Sequence, residues 1–283
     1  MHCAKNDLLK WGCLTSLRKE AQFEESIEIC KMTVTIEGPR RQIVLDTQPL
    51  SQSTFSAFGT VIENPAPSLF PSSNLQTIPP NAEQANQGSA LKYLDVTLMK
   101  DFYGSAPSKQ QAKAVMNMFV CAPRSLLPSQ ESSLEGLFPV EILERHPYTT
   151  QTFTPLGLSL SEENEARYLV IVAPNLPPSL ADEELPVPAS TANNERLPGR
   201  GLPDLRKIRA FVANGSQAVT YGAGTWHAPM VAIGKKPIPF IVVQFANGVG
   251  IEDCQEVVWK GGNGSGICAP VPKPLPNRAL WKL

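Results

Sequence analysis

Two histidine motifs, far apart in the chain, hold the residues best suited to chemistry. One is Glu144-x-His146, and the other is the glycine turn at residues 222–225 followed closely by His227. The sequence has only three histidines, and the third, His2, lies in a segment that looks dispensable. Neutral imidazole, with an ordinary pKa of about 6.5, serves as general base, general acid or metal ligand. The two motifs therefore predict one site that contains both His146 and His227.

The spacing of the first motif predicts which side chains converge. Positions i and i+2 of a strand lie on the same face, so Glu144 and His146 are expected to point together. Gln151 follows on the next strand-like segment, and the glycine turn delivers His227 onto another strand. One carboxylate, one amide and two imidazoles suit a labile Ni, Mn or Zn ion, with Glu144, His146, Gln151 and His227 as ligands. The same residues also suit a site that works without metal.

Composition excludes several classes of partner and location. The 283 residues carry a net charge of -1, which provides no basic field for nucleic acid. No apolar run approaches the roughly 18 residues of a membrane span, so we expect no membrane partner. The six cysteines form no C-x-x-C pair, which favours a reducing, cytoplasmic location. The terminal Trp281-Lys282-Leu283 lacks the small residue of a peroxisomal signal, so import there is not expected.

Short strand-like segments and 27 prolines predict an all-β fold with a few short helices, built as a sandwich or barrel. One short helix is predicted at 51–58, closed by Gly59. The Asn214-Gly215 pair predicts a hairpin turn. The main predicted strands are 43–45, 60–62, 92–98, 114–120, 140–143, 149–153, 167–172, 218–221, 230–233 and 239–245.

The chain is expected to contain a single folded domain with extensions. Residues 1–38 are predicted to be a non-domain extension, and Met32 is an alternative start. The domain is predicted at 39–260, with mobile insertions at 63–88 and 174–204 that are rich in proline and polar residues. Residues 261–283 are predicted to be a loose tail.

The order of the motifs resembles a known family. The run Glu144-Arg145-His146-Pro147 with Gln151, and the later set Arg209-Ala210-Phe211, Asn214-Gly215-x-Gln217, Tyr221 and Trp226-His227-x-Pro229, are similar to the two signatures of ureidoglycolate lyases. The matched segments span roughly residues 44–258, and the long insert resembles fungal members. Their spacing is also similar to the paired motifs of the cupin superfamily, which implies a cupin-like β-barrel or double-sheet sandwich.

The resemblance implies an activity and a set of roles. It implies cleavage of (S)-ureidoglycolate to glyoxylate and urea, a late step of allantoin and purine catabolism, by a homodimer. The implied catalytic residues are His227, His146 and Tyr221. The implied substrate-binding residues are Gln151, Trp226, Lys92, Arg124 and Arg209, of which one of the last three would hold the substrate carboxylate. Bacterial members tend to carry further histidines where this chain has Gly222 and Ala228.

Two other functions fit parts of the same pattern. Another metal-dependent cupin enzyme, such as a dioxygenase or isomerase, would need three or four strong ligands, and this chain has two usable histidines. A non-catalytic cupin that binds a small acid would need the pocket without the chemistry. Turnover of ureidoglycolate distinguishes all three hypotheses.

Overall fold

A computed structural model describes residues 32–156, 166–189, 191–192, 195–260 and 265–274. In these residues strands dominate, and the only α-helices are two single turns, α1 (Gln52–Phe55) and α2 (Gly250–Asp253). The predicted all-β class with few short helices is confirmed. No helix in the described part of the chain is long and apolar enough to cross a membrane.

Twenty strands are numbered here in chain order. The first ten are β1 (Met32–Glu37), β2 (Gln42–Val44), β3 (Thr47–Pro49), β4 (Gly59–Ile62), β5 (Ala82–Ala85), β6 (Ala90–Tyr93), β7 (Lys113–Cys121), β8 (Leu134–Val140), β9 (Ile142–Arg145) and β10 (Gln151–Pro155). The others are β11 (Arg167–Ala173), β12 (Thr191–Ala192), β13 (Glu195–Arg196), β14 (Arg209–Asn214), β15 (Ala218–Tyr221), β16 (Trp226–His227), β17 (Val231–Ile233), β18 (Ile238–Ala246), β19 (Gln255–Lys260) and β20 (Gly266–Pro272).

Three sheets pack as layers. The large sheet has the order β1-β19-β9-β16-β11-β14-β3, with β17 also paired to β11. The five-stranded sheet has the order β4-β15-β10-β18-β7, and the three-stranded sheet has the order β2-β20-β8. Two further pairs, β5-β6 and β12-β13, are hairpins at the periphery. In the described residues these sheets stack as a sandwich and do not close into one barrel.

The large sheet is the middle layer, because β11 buries both of its faces. Its apolar residues alternate, so Val170 and Val172 pack in one core and Leu169 and Ile171 in the other. The first core lies against the five-stranded sheet, with Phe153, Tyr221 and Phe240 among its members. The second lies against the three-stranded sheet, with Phe138, Ile267 and Val271 among its members.

The folded part extends beyond the predicted limits of 39 and 260. β1 pairs with β19 in the large sheet, and β20 lies between β2 and β8 in the three-stranded sheet. β1 and β20 belong to the fold because each carries alternating apolar residues that complete a core. The predicted mobile insertion at 174–204 is also packed in part: Leu185 and Leu197 are buried, and so is Leu202. Residues 1–31 of the predicted extension and most of the tail lie outside the described residues.

Two local predictions were wrong. The strand predicted at 92–98 ends at Tyr93, because Asp95 has a left-handed φ of 48° that breaks an extended backbone. Asn214-Gly215 does form a turn, with the amide of Gln217 donating to the Asn214 carbonyl, but it joins different sheets. The chain therefore crosses there from the large sheet to the five-stranded sheet, and no hairpin forms.

Candidate active site

The pairing of three strands in the large sheet brings the two histidine motifs together. Glu144 on β9 lies directly across from His227 on β16, and on its other side across from Glu256 on β19. His146 follows two residues after Glu144, so it projects from the same face. The ligand atoms of Glu144, His146 and His227 all lie within 4.8 Å of one another. Register alone therefore assembles a carboxylate and two imidazoles.

Backbone carbonyls fix the tautomer of both histidines. Nδ1 of His146 is 2.6 Å from the carbonyl oxygen of Asp253, and Nδ1 of His227 is 2.9 Å from that of Thr225. A carbonyl oxygen can only accept a hydrogen bond, so in each ring Nδ1 carries the proton. In the neutral form of each ring, Nε2 therefore carries the lone pair. The Nε2 of His146 is buried and has no hydrogen-bond partner in the described part of the chain.

Gln151 supplies a fourth oxygen or nitrogen donor from the facing sheet. Its Oε1 is 3.2 Å from Nε2 of His227, and Nε2 of His227 is 3.8 Å from Oε1 of Glu144. The amide of Gln151 is held in turn by Gln244, whose Oε1 accepts from its Nε2 at 2.7 Å. Four ligand atoms, from the two histidines, Glu144 and Gln151, thus converge on one small space, which is the kind of donor set that a divalent cation requires. The residues present fit a metal ion.

Burial keeps His227 neutral. Its side chain is almost fully enclosed, and this burial lowers the pKa of His227 to about 3, with the charge of His146 acting in the same direction and the Thr225 carbonyl opposing it. At neutral pH the imidazole is therefore uncharged, which suits a ligand or an acceptor and does not suit a general acid.

Tyr221 encloses one side of this imidazole. Its ring stacks on that of His227, with the centroids 3.9 Å apart and the planes 12° from parallel. Burial, together with the nearby Tyr168 and Glu144, raises the pKa of the Tyr221 phenol well above its usual range, so the hydroxyl stays protonated. That hydroxyl is buried and has no hydrogen-bond partner among the described residues, so its capacity to donate a hydrogen bond is unused.

Trp226 lies on the opposite face of the large sheet. Successive residues of a strand point to opposite sides, so Trp226 enters the core away from His227. Its Nε1 donates to the Gly201 carbonyl at 3.0 Å, and the Arg145 guanidinium lies 4.4 Å from the centroid of its ring. The structure therefore brings together His146, Gln151, Tyr221, His227 and Glu144, and it places Trp226 behind them.

The three cations predicted for the substrate carboxylate lie apart from one another. Lys92 is exposed in the β5-β6 hairpin, 4.0 Å from Glu83, and the Arg124 guanidinium lies 5.4 Å from the centroid of Phe138. Arg209 borders a cavity of about 1350 Å³. Gly222 and Thr225 line the same cavity, so only Arg209 of the three shares a wall with the glycine turn.

Several groups of the site were not predicted from the sequence. Gln244 had a signal, since it is the single polar residue of the apolar strand β18. Cys254 and Glu256 repeat the i, i+2 spacing of the first motif, and their ligand atoms lie within 4.8 Å of each other and of the Glu144 carboxylate. The carbonyls of Thr225 and Asp253 carry no side-chain signal at all, because every residue has a carbonyl.

Comparison with known proteins gives one consistent family. The family model described as ureidoglycolate lyase matches residues 42–263. A ureidoglycolate lyase of Schizosaccharomyces pombe is 36% identical over 208 residues, covering 74% of this chain and 87% of the relative. One of Saccharomyces cerevisiae is 32% identical, covering 69% and 81%. One of Burkholderia mallei is 28% identical, covering 70% and 81%.

Proposed function

The chain belongs to the ureidoglycolate lyase family, and on that premise we propose that it cleaves (S)-ureidoglycolate to glyoxylate and urea in the breakdown of allantoin. It is a lyase that acts on a small molecule. The observation that carries the proposal is the convergence of Glu144, His146 and His227 from two distant signatures onto one face of the large sheet.

The reaction sets the requirements for the site. Ureidoglycolate carries a hydroxyl and a ureido nitrogen on the same carbon. Loss of the hydroxyl proton lets that oxygen form the aldehyde carbonyl while the carbon–nitrogen bond breaks, and the nitrogen gains a proton to become urea. No water is consumed. The site must therefore accept a proton at an oxygen, supply one at a nitrogen, and hold a carboxylate.

We propose that a divalent metal ion, of the Ni, Mn or Zn type, is held by Nε2 of His146, Nε2 of His227 and the Glu144 carboxylate, with the Gln151 amide oxygen beside them. When bound, such an ion lowers the pKa of a hydroxyl that coordinates it. The support for this proposal is the unpartnered, buried Nε2 of His146 and the neutral state of His227. A site that holds the Glu144 carboxylate also needs a cation before an anionic substrate binds there.

The remaining residues orient the substrate and the Gln151 amide. The Tyr221 hydroxyl, kept protonated by burial, donates a hydrogen bond to substrate and stands beside the imidazole on which its ring stacks. Gln244 fixes the amide of Gln151 and so sets which atom meets the ligand. Of the predicted carboxylate partners, we favour Arg209, because it lines the cavity that borders the glycine turn before His227 and its planar guanidinium suits bidentate binding.

Incubation of the purified protein with racemic ureidoglycolate tests the activity. We expect equal amounts of glyoxylate and urea, with half of the racemate consumed, because the site is chiral. Binding without turnover would favour the non-catalytic acid-binding protein instead. Turnover that consumes oxygen, or that leaves urea unreleased, would favour another cupin enzyme.

Removal of metal tests the roles of the histidines. We expect exhaustive chelation to abolish nearly all release of glyoxylate, and Ni, Mn or Zn salts to restore it, because three of the proposed donors then have no ion to hold. The protein should stay folded by circular dichroism throughout. Unchanged activity in protein shown by elemental measurement to be metal-free would contradict the metal proposal. It would leave His146 and His227 as the acid–base pair.

We also propose that the protein is a homodimer, as the resemblance implies. The support in the structure is the outer edge of the five-stranded sheet, where β7 presents exposed apolar side chains. An edge of this kind is a ready template for a second chain.

A further inference from the structure

β7 is an edge strand with nothing paired along its outer side. All nine of its residues pair with β18, from Lys113 with Ala246 to Cys121 with Ile238. No strand in the described part of the chain pairs with its other side. A strand of this length presents a row of backbone donors and acceptors that can join another strand.

The side chains of β7 lack the usual protection of an edge. Natural edge strands are shielded by charges, proline, bulges or short length, yet residues 114–121 carry no charge and no proline. The exposed fractions are 68% for Met116, 61% for Met118, 47% for Phe119 and 66% for Val120. Such a group of large apolar side chains on one element marks a surface that is covered by a partner.

We propose that this partner is a second copy of the chain, paired antiparallel along β7 about a two-fold axis at Asn117. The inference rests on the homodimer of the proposed function and adds its interface and register. A two-fold axis perpendicular to the sheet keeps each face of the sheet continuous across the interface. Odd-numbered residues of one β7 must therefore pair with odd-numbered residues of the other, and even-numbered with even-numbered. The five-stranded sheets of the two copies then form one continuous sheet.

The register follows from the sequence of β7. Pairing about Asn117 places Met116 opposite Met118 of the partner subunit and Val115 opposite Phe119 of the partner subunit, with the two Asn117 amides together. In this register apolar side chains pair with apolar ones, and the Asn117 amide pairs with the same amide of the partner subunit. A shift by two residues in one direction sets Asn117 against the partner's Phe119. A shift by two residues in the other direction sets Lys113 against Phe119 of the partner subunit.

This register also connects the dimer to the candidate site. Val115 is the cross-strand neighbour of Gln244, which holds the amide of Gln151. A second β7 would bring Phe119 of the partner subunit beside Val115, on the inner face of the sheet. The hydrogen bonds that connect Gln244 through Gln151 to His227 would then lie beside an aromatic ring. The dimer would thereby help to exclude water from the site and to restrict its motion.

Substitution of Met118 with lysine tests the surface. Because of the symmetry, Met118→Lys introduces two charges into each interface, so we expect the dimer dissociation constant to rise about a hundredfold or more. Leu98→Lys is the matched control, since Leu98 is an equally exposed apolar residue (57%) outside β7, and it should leave the dimer intact. Sedimentation over a range of concentrations measures both, and thermal melting checks that both variants are folded.

Cross-linking tests the register. In a Cys121→Ser background, Asn117→Cys should form a disulfide-linked dimer on mild oxidation, because only residues on the axis face their own copy. Leu98→Cys in the same background should not. A wild-type monomer at all concentrations would overturn both the homodimer and this interface. A dimer that resists Met118→Lys and gives no Asn117→Cys cross-link would overturn the interface alone and leave the homodimer standing.

Discussion

Replacing His227 with alanine is expected to lower the rate of glyoxylate release by about a thousandfold or more. The imidazole has one ring nitrogen bound to the Thr225 carbonyl and the other aimed at Glu144 and Gln151. Alanine removes this second nitrogen, which in the proposed function either binds a metal ion or accepts the proton, and no neighbouring side chain replaces it. Steady-state turnover of ureidoglycolate measures the loss.

The control for this prediction has to separate chemistry from packing. Thr225→Val keeps the carbonyl that holds Nδ1 of His227 and removes only a hydroxyl that donates to the Phe58 carbonyl at 3.2 Å. It should retain most of the activity. His227→Ala should unfold at a lower temperature because it leaves a cavity beside Tyr221, yet stay folded at the assay temperature. Wild-type turnover in folded His227→Ala protein would refute the assigned role of His227.

Local chemistry in the sequence was enough to predict many elements. Short, largely apolar runs located β11, β15 and β18 within a residue or two, since each buries at least one face. The i, i+2 spacing of Glu144 and His146 correctly placed both on one face. The same alternation, applied to Trp226 and His227, would have shown that neighbouring strand residues cannot both face the site.

Other features depend on contacts that one sequence does not encode locally. That Glu144 meets His227 follows from the register of β9 against β16, two strands far apart in the chain. The turn at Asn214-Gly215 has the right residues for a hairpin, but tertiary packing carries the next strand into a different sheet. The Asp253 carbonyl reaches His146 only because α2 brings it there. Long-range packing, which periodicity does not report, decides all three.

Replacing Arg145 with alanine is expected to lower the free energy of unfolding by roughly 3 to 5 kcal/mol. Arg145 lies between Glu144 and His146 in the sequence, and its side chain projects from the opposite face of β9, where it is fully buried. Its Nε donates to Gln255 Oε1 at 2.8 Å, and its Nη1 donates to the carbonyls of Gly199 and Gly201. Burial lowers the pKa of Arg145 to about 10, so it is still charged at neutral pH.

The size of the effect follows from what alanine leaves behind. Gln255 Oε1 would be buried without a donor, and the carbonyls of Gly199 and Gly201 would each lose one of two donors, keeping those of Asn175 and Trp226. The face of Trp226 would also lose its cation, and a large cavity would open in the core. Arg124→Ala is the matched control, because that guanidinium also lies over an aromatic ring, Phe138, but is exposed to water. It should change stability by less than about 1 kcal/mol.

Urea unfolding of both variants measures the difference. Arg145→Ala protein as stable as Arg124→Ala protein would show that the buried contacts contribute little. The expected loss has a consequence for the site as well, since Arg145 ties β9 to β19 and to the loop at 199–201. Glu144 lies on this short strand and His146 directly follows it, so loosening the back face of β9 should weaken the binding of the proposed metal ion at its front. Arg145 is thus expected to position both proposed ligands from the opposite face of the strand, without touching the substrate.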